Sequence, residues 1–239
     1  MIQYNNHNIT KKIHYDGHDI QKVYGCDAHL VWEYNPSGYT ELDYIKTNNA
    51  NSSGVRLLSK PDNTTVIEID CEVIYAQGSS EIVSGCGAML NIYTGGSVYT
   101  YCNVSFGSAN IDRKSCPSFK TRHVWKLGRI SGTSDTTKVG WSCEDTTWTT
   151  TKDPLVFSGA GNILVGGIRY NDCNYTNPTS GDSSNYVQCR IYSVKVYNNY
   201  GSNLVGNYIP VQKYDGIDTL YDTVTGQFAT SYGLANTNL

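Results

Sequence analysis

Three acidic residues at alternate positions are the part of this chain whose types and spacing could do chemistry. Glu68, Asp70 and Glu72 lie within the run Val66-Ile-Glu-Ile-Asp-Cys-Glu72. Side chains at every second position of a strand point to the same side, so the three carboxyl groups share one face. Neighbouring carboxyl groups can act as general acid, general base or nucleophile. The residues between them are apolar, so the inside-outside alternation of a half-buried strand also accounts for the pattern.

The spacing Glu-x-Asp-x-Glu resembles the catalytic string of the family 16 glycoside hydrolases. This resemblance implies that Glu68 would be the nucleophile, Glu72 the acid/base and Asp70 the group that tunes their ionisation. A retaining mechanism would hold the two catalytic carboxyls about 5 to 5.5 Å apart. Because strand alternation accounts for the same three acids, we expect no enzyme activity and keep the hydrolase as the alternative.

The elements that would position these acids are short β-strands, since no segment shows a convincing apolar stripe with the helical period. Strands separated by turn signals at intervals of about 8 to 12 residues are typical of a two-sheet sandwich. We predict strands at residues 66–75, 87–93, 98–104, 122–130, 136–142, 162–168 and 189–197.

The end of the chain carries the clearest strand and turn patterns. Tyr192, Val194 and Val196 alternate with polar residues, which predicts that all three face the core. The run 198–203 is rich in Asn and Gly, which close hairpins easily. Pro210 has no amide proton and is therefore expected at a strand end or edge. A turn at residues 225–226 would bring Phe228 back over the sheet and into the core.

Composition agrees with an all-β chain and excludes some partners. The 239 residues include 20 Tyr and 23 Gly but only two Met, which favours strands and turns over helices. Charged residues make up 16% and the formal net charge is −3, without a basic block, so no nucleic-acid partner is expected. The start of the chain lacks the pattern of a secretory signal, and no run is long and apolar enough for a membrane span, so no membrane partner is expected.

The eight cysteines predict neither a zinc site nor a disulfide scaffold, because no C-x-x-C pair occurs and the cysteines are sparse. Cys71 and Cys189 occupy apolar positions of strand patterns, where a thiol behaves as a small buried hydrophobe. Free thiols fit a protein that is assembled inside a bacterial cell.

The first 36 residues form a separate small β unit by pattern, and the turn-forming run at 35–38 makes a natural boundary to a second domain at 38–239. A hairpin turn is predicted at residues 16–17, a return strand at 20–24 and a third strand at 30–32. So short a unit cannot bury a sufficient core alone, so its apolar residues should contact another chain. The expected partner-binding residues are Ile13, Tyr15, Ile20, Val23, Tyr24, Val31 and Trp32.

The closing segments 189–197, 204–211 and 220–228 resemble the last strands of a laminin-G/concanavalin-A-like sandwich. This version of the domain is found in virion proteins of tailed bacteriophages, including crAss-like phages, and in bacterial surface proteins. The resemblance covers roughly residues 39–239 and is strongest at the end. It implies an all-β jelly-roll sandwich, preceded by the small N-terminal β element, in which the last strands pair with early ones near Tyr44 and Ile69. A similar acidic second strand occurs in such phage sandwiches without hydrolase activity.

The function that this resemblance implies is that of a non-catalytic virion structural protein, such as a head fibre, tail appendage or capsid decoration. It would be assembled in the bacterial cytoplasm and attached to other virion proteins through residues 1–36, most simply as a homotrimer. The sandwich would serve adhesion to surface glycans. The alternatives are the hydrolase and a bacterial surface lectin.

Ligand and metal candidates outside the acidic strand are few. Trp148 lies in a polar run and is the tryptophan most suited to stack on a sugar. His14 and His18 flank a turn and are not expected to bind a metal together. We expect no cofactor; calcium, which some laminin-G domains bind, would have to use loop acids without a motif. These loop acids are Asp135, Glu144, Asp145 and Asp153.

Overall fold

The computed structural model describes side chains for eight stretches of the chain. These are residues 38–48, 53–62, 64–76, 82–84, 121–128, 142–143, 162–166 and 187–234. For other strand residues only the backbone pairing is described. The described part of the chain contains no helix, and therefore no helix that is long and apolar enough to cross a membrane.

The strands are short in the first half of the chain and longer towards its end. They are β1 (Gln3–Tyr4), β2 (His7–Asn8), β3 (Ile13–Tyr15), β4 (His18–Ile20), β5 (Lys22–Tyr24), β6 (Leu30–Glu33), β7 (Tyr39–Glu41), β8 (Ile45–Thr47), β9 (Gly54–Arg56), β10 (Val66–Gln77), β11 (Ser79–Ser84) and β12 (Ala88–Gly95). The remainder are β13 (Tyr99–Phe106), β14 (Ala109–Ser115), β15 (Arg122–Gly128), β16 (Gly140–Cys143), β17 (Thr146–Thr149), β18 (Leu164–Val165), β19 (Tyr186–Asn198), β20 (Asn203–Lys213), β21 (Asp218–Asp222), β22 (Gln227–Phe228), β23 (Thr230–Tyr232) and β24 (Leu234–Ala235).

Two antiparallel sheets build the main unit, which comprises residues 41–239. The larger sheet has the order β17-β16-β15-β10-β19-β20-β21-β22, and β8 joins it by pairing with β19 and β24. The smaller sheet has the order β14-β13-β12-β11-β18-β9-β23. The late strand β19 pairs with the early strands β10 and β8, which confirms the predicted contact between the two ends of the sequence.

One hydrophobic cluster lies between the two sheets. The larger sheet contributes Ile67 and Ile69 from β10, and the smaller sheet contributes Val55, Ile82 and Val165 from β9, β11 and β18. All five side chains are buried, at 1% exposure or less. The all-β sandwich predicted from the sequence is therefore confirmed.

A bulge in β19 makes one core prediction wrong. Asp70 lies opposite Ser193 but Cys71 lies opposite Ile191, so Tyr192 is an extra residue on the bulged strand. An extra residue reverses the inside-outside alternation on either side of it. Val194 is buried as predicted, whereas Tyr192 is only half-buried and its hydroxyl reaches the charged face of the sheet.

Phe228 also differs from its predicted place in the core. The predicted turn is present, since the Gly226 amide donates to the Asp222 carbonyl and Phe228 pairs with Tyr221. The Phe228 ring is half-buried and packs on the Tyr221 ring with centroids 5.2 Å apart. It lies in the two-residue strand β22, the last in the strand order of the larger sheet, and Lys213 Nζ lies 5.7 Å from its ring centroid.

Pro210 lies inside β20 rather than at a strand end. It pairs with Leu220 of β21, while the pairing of β20 with β19 stops at Tyr208. Pro210 therefore lies beyond the last residue of β20 that pairs with β19, so its missing amide proton does not interrupt that ladder. The Pro210 carbonyl still accepts a hydrogen bond from the Leu42 amide, at 3.0 Å.

Strand predictions elsewhere were correct for position more often than for length. The strands predicted at 66–75, 87–93, 98–104 and 189–197 correspond to β10, β12, β13 and β19, whereas β11 and β14 were not predicted. Within the predicted strand 162–168, residues 164–165 form β18, and residues 167–168 lie outside the described residues. Propensity does not mark the strand ends, because the partner strand decides how far a ladder extends.

Residues 1–40 form a separate compact unit. The hairpin predicted around residues 16–17 is present, since β3 pairs with β4. The predicted return strand 20–24 is instead divided, because His18–Ile20 pairs with β3 and Lys22–Tyr24 pairs with β6. The side chains of the seven predicted partner-binding residues, and those of His14 and His18, lie outside the described residues.

Buried and exposed residues of β19 should respond differently to truncation. Val194→Ala and Val196→Ala each remove methyl groups from fully buried positions and should lower the free energy of unfolding by roughly 1 to 3 kcal/mol. Lys195→Ala should change it by about 0.5 kcal/mol or less, because its partner Glu68 retains a second cation. Denaturant melts would contradict this assignment if Lys195→Ala were as damaging as the valine variants.

Candidate functional site

The outward side of the larger sheet carries an ordered set of charged and aromatic side chains, here called the outer-face array. Strand β10 supplies its acids, and the neighbouring strands β15 and β19 supply most of its bases. Residues directly opposite one another on paired strands lie on the same face, so these side chains meet. The array consists of Tyr44, Lys46, Glu68, Asp70, Glu72, Arg122, Lys126, Arg190, Tyr192 and Lys195.

Glu68 lies between two lysines. Its register partners are Lys126 on β15 and Lys195 on β19, and each Nζ atom lies 3.0 Å from one carboxylate oxygen. Partial burial raises the pKa of Glu68, but the hydrogen bonds from Lys195 and Lys126 outweigh it, so the pKa is lowered overall. The ionised carboxylate therefore stabilises the fold above its ordinary pKa of 4.5, and this contribution is lost as the pH falls through the lower folded-state value.

Asp70 is held by a two-point contact with Arg122. The Arg122 Nε atom donates to Oδ1 at 2.8 Å and Nη2 donates to Oδ2 at 2.6 Å. The same guanidinium lies over the Tyr192 ring, 3.9 Å from its centroid. The bidentate pair and the stacked ring together fix the orientation of Arg122, although this side chain is 56% exposed.

Glu72 accepts two hydrogen bonds at one oxygen. Arg190 Nη1 donates to Oε2 at 2.8 Å, and the Tyr192 hydroxyl donates to the same atom at 3.2 Å. The Arg190 guanidinium also lies 5.0 Å from the centroid of the Tyr44 ring. Tyr44 meets Tyr192 edge to face with centroids 5.7 Å apart, so the two arginine-tyrosine pairs are joined into one network.

The array presents hydrogen-bond donors and covers its own acceptors. The side chains of Glu68, Asp70 and Glu72 are only 14%, 14% and 17% exposed, because the long basic side chains lie over them. Burial raises the pKa of Tyr192, and so does the neighbouring Glu72, so this hydroxyl stays protonated and keeps its hydrogen bond to Glu72. Such a surface is suited to bind a ligand rich in acceptors.

The structure brings the three predicted acids together on one face, as their spacing indicated. The residues that sequence reasoning missed are the partners of these acids on other strands, Arg122 and Arg190 foremost. A signal for Arg190 was present, since it belongs to the recognised strand 189–197. Its contact with Glu72 depends on the β10 to β19 register, which no local pattern contains.

The other predicted site residues lie outside the part of the chain with described side chains. Trp148 belongs to strand β17, where it pairs with Trp141, and Trp141 pairs with Leu127. Its role in ligand contact stays a prediction. The four loop acids considered for calcium also lie outside the described residues, and the described ones include no group of three or more metal-ligating side chains.

The cysteines whose side chains are described are buried free thiols in the core. Cys71 and Cys189 are at 1% and 0% exposure, which confirms their predicted role as small hydrophobes. Burial raises the pKa of Cys189 to about 12, against the opposing effect of its hydrogen bond with Thr47. It also raises the pKa of Cys71 well above its usual range, so neither thiol is suited to act as a nucleophile.

Comparisons with known proteins show similarity of fold. No protein-family model and no curated protein matches the chain. Among solved structures, it is similar to a candidate carbohydrate-binding protein from Bacteroides ovatus, with a TM-score of 0.52 and 17% identity over 81% of this chain and 60% of that chain. This chain therefore spans less than two thirds of the length of the Bacteroides protein. A heptameric SAP-like pentraxin from Limulus polyphemus matches with a TM-score of 0.40 and 9% identity, over 68% of this chain and 71% of that chain. The chain is a two-sheet antiparallel β-sandwich, and its similarity to these structures is one of fold.

Proposed function

We propose that this protein is a non-catalytic structural protein of a phage virion, a head fibre, tail appendage or capsid decoration, whose sandwich binds glycans. The observation that carries this proposal is that each carboxylate of the Glu-x-Asp-x-Glu string is ion-paired with a basic side chain of a neighbouring strand. The acids thereby orient donors and aromatic rings on an outward face, as a recognition surface requires. The carbohydrate-binding assignment of the Bacteroides protein supports glycans as the ligand class.

The hydrolase alternative demands a protonated Glu72 as general acid. In the structure, Glu72 Oε2 instead accepts hydrogen bonds from Arg190 Nη1 and from the Tyr192 hydroxyl. Glu68 and Glu72 are four residues apart on one strand, the same spacing as in the family 16 string. Their carboxylates are drawn to different bases rather than towards each other.

A hydrolysis assay tests the non-catalytic part of the proposal. Wild type and Glu68→Gln should release no sugar from β-glucans or host capsule polysaccharide, because Glu68 serves as the partner of two lysines. Clear turnover by wild type that the substitution abolishes would establish the hydrolase in place of this proposal. Glu41→Gln, which alters an exposed carboxylate outside the array, is the matched control.

Attachment to the particle is assigned to residues 1–36, within the compact unit 1–40. This unit is too small to bury an adequate core, so its apolar residues should pack against other virion proteins or in a homotrimer. Deleting residues 1–36 should leave a folded, monomeric sandwich that is absent from purified particles, as measured by light scattering and mass spectrometry of virions. If the truncated protein still joins the particle, the anchor lies elsewhere. A bacterial surface lectin, the third candidate, would bind glycans but would be absent from virions in either form.

A further inference from the structure

The charge of the outer-face array is opposite to that of the chain. Its five basic side chains, less its three carboxylates, give a formal charge of +2, whereas the chain as a whole carries −3. Lys46 is one of these five basic side chains, since it lies on β8 directly opposite Arg190. The exposed carboxylates nearest in sequence, Glu41 and Asp43, form no ion pair with the array in the described part of the chain. A negatively charged ligand is therefore attracted to this face of an otherwise acidic protein.

The two arginines of the array keep unused donors in fixed orientations. A guanidinium has five N–H donors. Arg122 directs two of its N–H groups at Asp70 and Arg190 directs one at Glu72, so each of these partly exposed side chains keeps further Nη donors for a ligand. Because the tyrosine rings and carboxylates already hold both side chains, a ligand would bind to them with little loss of side-chain entropy.

The same arrangement disfavours a neutral sugar. Neutral hydroxyl groups need acceptors as well as donors, and the acceptors here are the three carboxylates already covered by bases. Stacking on the tyrosines is also restricted, since guanidinium groups lie 3.9 Å and 5.0 Å from the Tyr192 and Tyr44 centroids. A carboxylate or sulfate group offers only acceptors and matches this surface.

From this geometry we infer that the outer-face array binds anionic glycans, through carboxylate or sulfate groups that Arg122 and Arg190 recognise. This inference rests on the proposed glycan-binding function and narrows its ligand class. It makes the Glu-x-Asp-x-Glu acids positioning residues, which act on the ligand only through the arginines that they orient.

Calorimetry with the full-length chain tests the inference. The probes are polygalacturonate for carboxylates, dextran sulfate for sulfates, unmodified dextran as the neutral polymer and an unstructured oligodeoxynucleotide for phosphates. At least one anionic polysaccharide should bind, more weakly at about 0.5 M than at about 0.05 M salt. Dextran should not bind, and the oligonucleotide should bind at least tenfold more weakly than the preferred polysaccharide.

Substitutions locate the binding face. Arg122→Gln and Arg190→Gln should each weaken the interaction about tenfold or more, as expected for loss of a charge-assisted hydrogen bond. Arg122→Lys keeps the charge but not the bidentate geometry and should retain only part of the affinity. Lys213→Gln removes one charge from β20 outside the array and should bind like wild type. Melting temperatures would show that each variant is folded. If Arg122→Gln does not fold, the affinity of Arg122→Lys still tests the role of Arg122.

Each contrary outcome has a distinct meaning. Equal binding of dextran and the anionic polymers would overturn the inference while leaving glycan binding intact. The oligonucleotide could bind as tightly as the polysaccharides, or Lys213→Gln could weaken binding as much as the arginine substitutions do. Either result would show that binding is general charge attraction and not specific recognition by Arg122 and Arg190. If neither anionic polymer binds but other glycans do, the inference is wrong and the proposed function stands; if no glycan binds, both fail.

Discussion

Replacing Tyr208 by alanine is expected to lower the free energy of unfolding by roughly 4 to 6 kcal/mol. Tyr208 is fully buried, and its hydroxyl accepts hydrogen bonds from the amides of Leu58 and Ser59 at 3.1 and 2.9 Å. The Ser59 hydroxyl lies 2.7 Å from the same oxygen. The alanine variant loses the ring, leaves a cavity and deprives two amides of their acceptor.

Tyr208→Phe separates the two contributions. It keeps the ring and removes only the hydroxyl, so it should cost about 1 to 3 kcal/mol. Tyr197→Phe is the matched control, because the Tyr197 hydroxyl accepts no such set of hydrogen bonds in the described part of the chain, and should change stability by about 0.5 kcal/mol or less. Urea melts measure all three. A Tyr208→Phe variant as stable as wild type would show that the hydroxyl does not hold the segment at Leu58 and Ser59.

Gly128→Ala should destabilise the sandwich by roughly 3 to 5 kcal/mol. Gly128 has a φ of +127°, a region that residues with a side chain rarely adopt. A Cβ atom at this position would also collide with the Thr65 carbonyl oxygen and lie 3.0 Å from the Val66 Cα atom. Both obstacles are backbone atoms at the first rung between β10 and β15, so neither can move without opening the ladder.

Gly216→Ala distinguishes backbone strain from collision. Gly216 has a φ of +81° but nothing within 4 Å of the position of a Cβ atom. Its substitution should therefore cost only the strain, about 1 to 2 kcal/mol. Thermal melts that gave the two variants the same loss of stability would contradict the close contact inferred at Gly128.

The local alternation of polar and apolar residues predicted the side of the larger sheet on which the acids lie. Glu68, Asp70 and Glu72 alternate with buried Ile67 and Ile69, and a period of two needs no knowledge of the partner strands. The same rule failed for Tyr192, because a bulge adds one residue and reverses the alternation. A bulge is a property of two paired strands, so the sequence of one strand does not reveal it.

The sequence by itself determined the all-β class, the turns of the closing hairpins, the sidedness of the acidic strand and the buried thiols of Cys71 and Cys189. These features depend on side-chain size, polarity and backbone freedom within a few residues. The tertiary structure alone decided what the acids do. Asp70 and Arg122 are 52 positions apart, and Glu72 and Arg190 are 118 positions apart. Only the register of β10 with β15 and β19 brings these pairs into contact, because the strength of an ion pair depends on distance in space and not on distance along the chain. The sequence of a single strand does not encode its register with its neighbours.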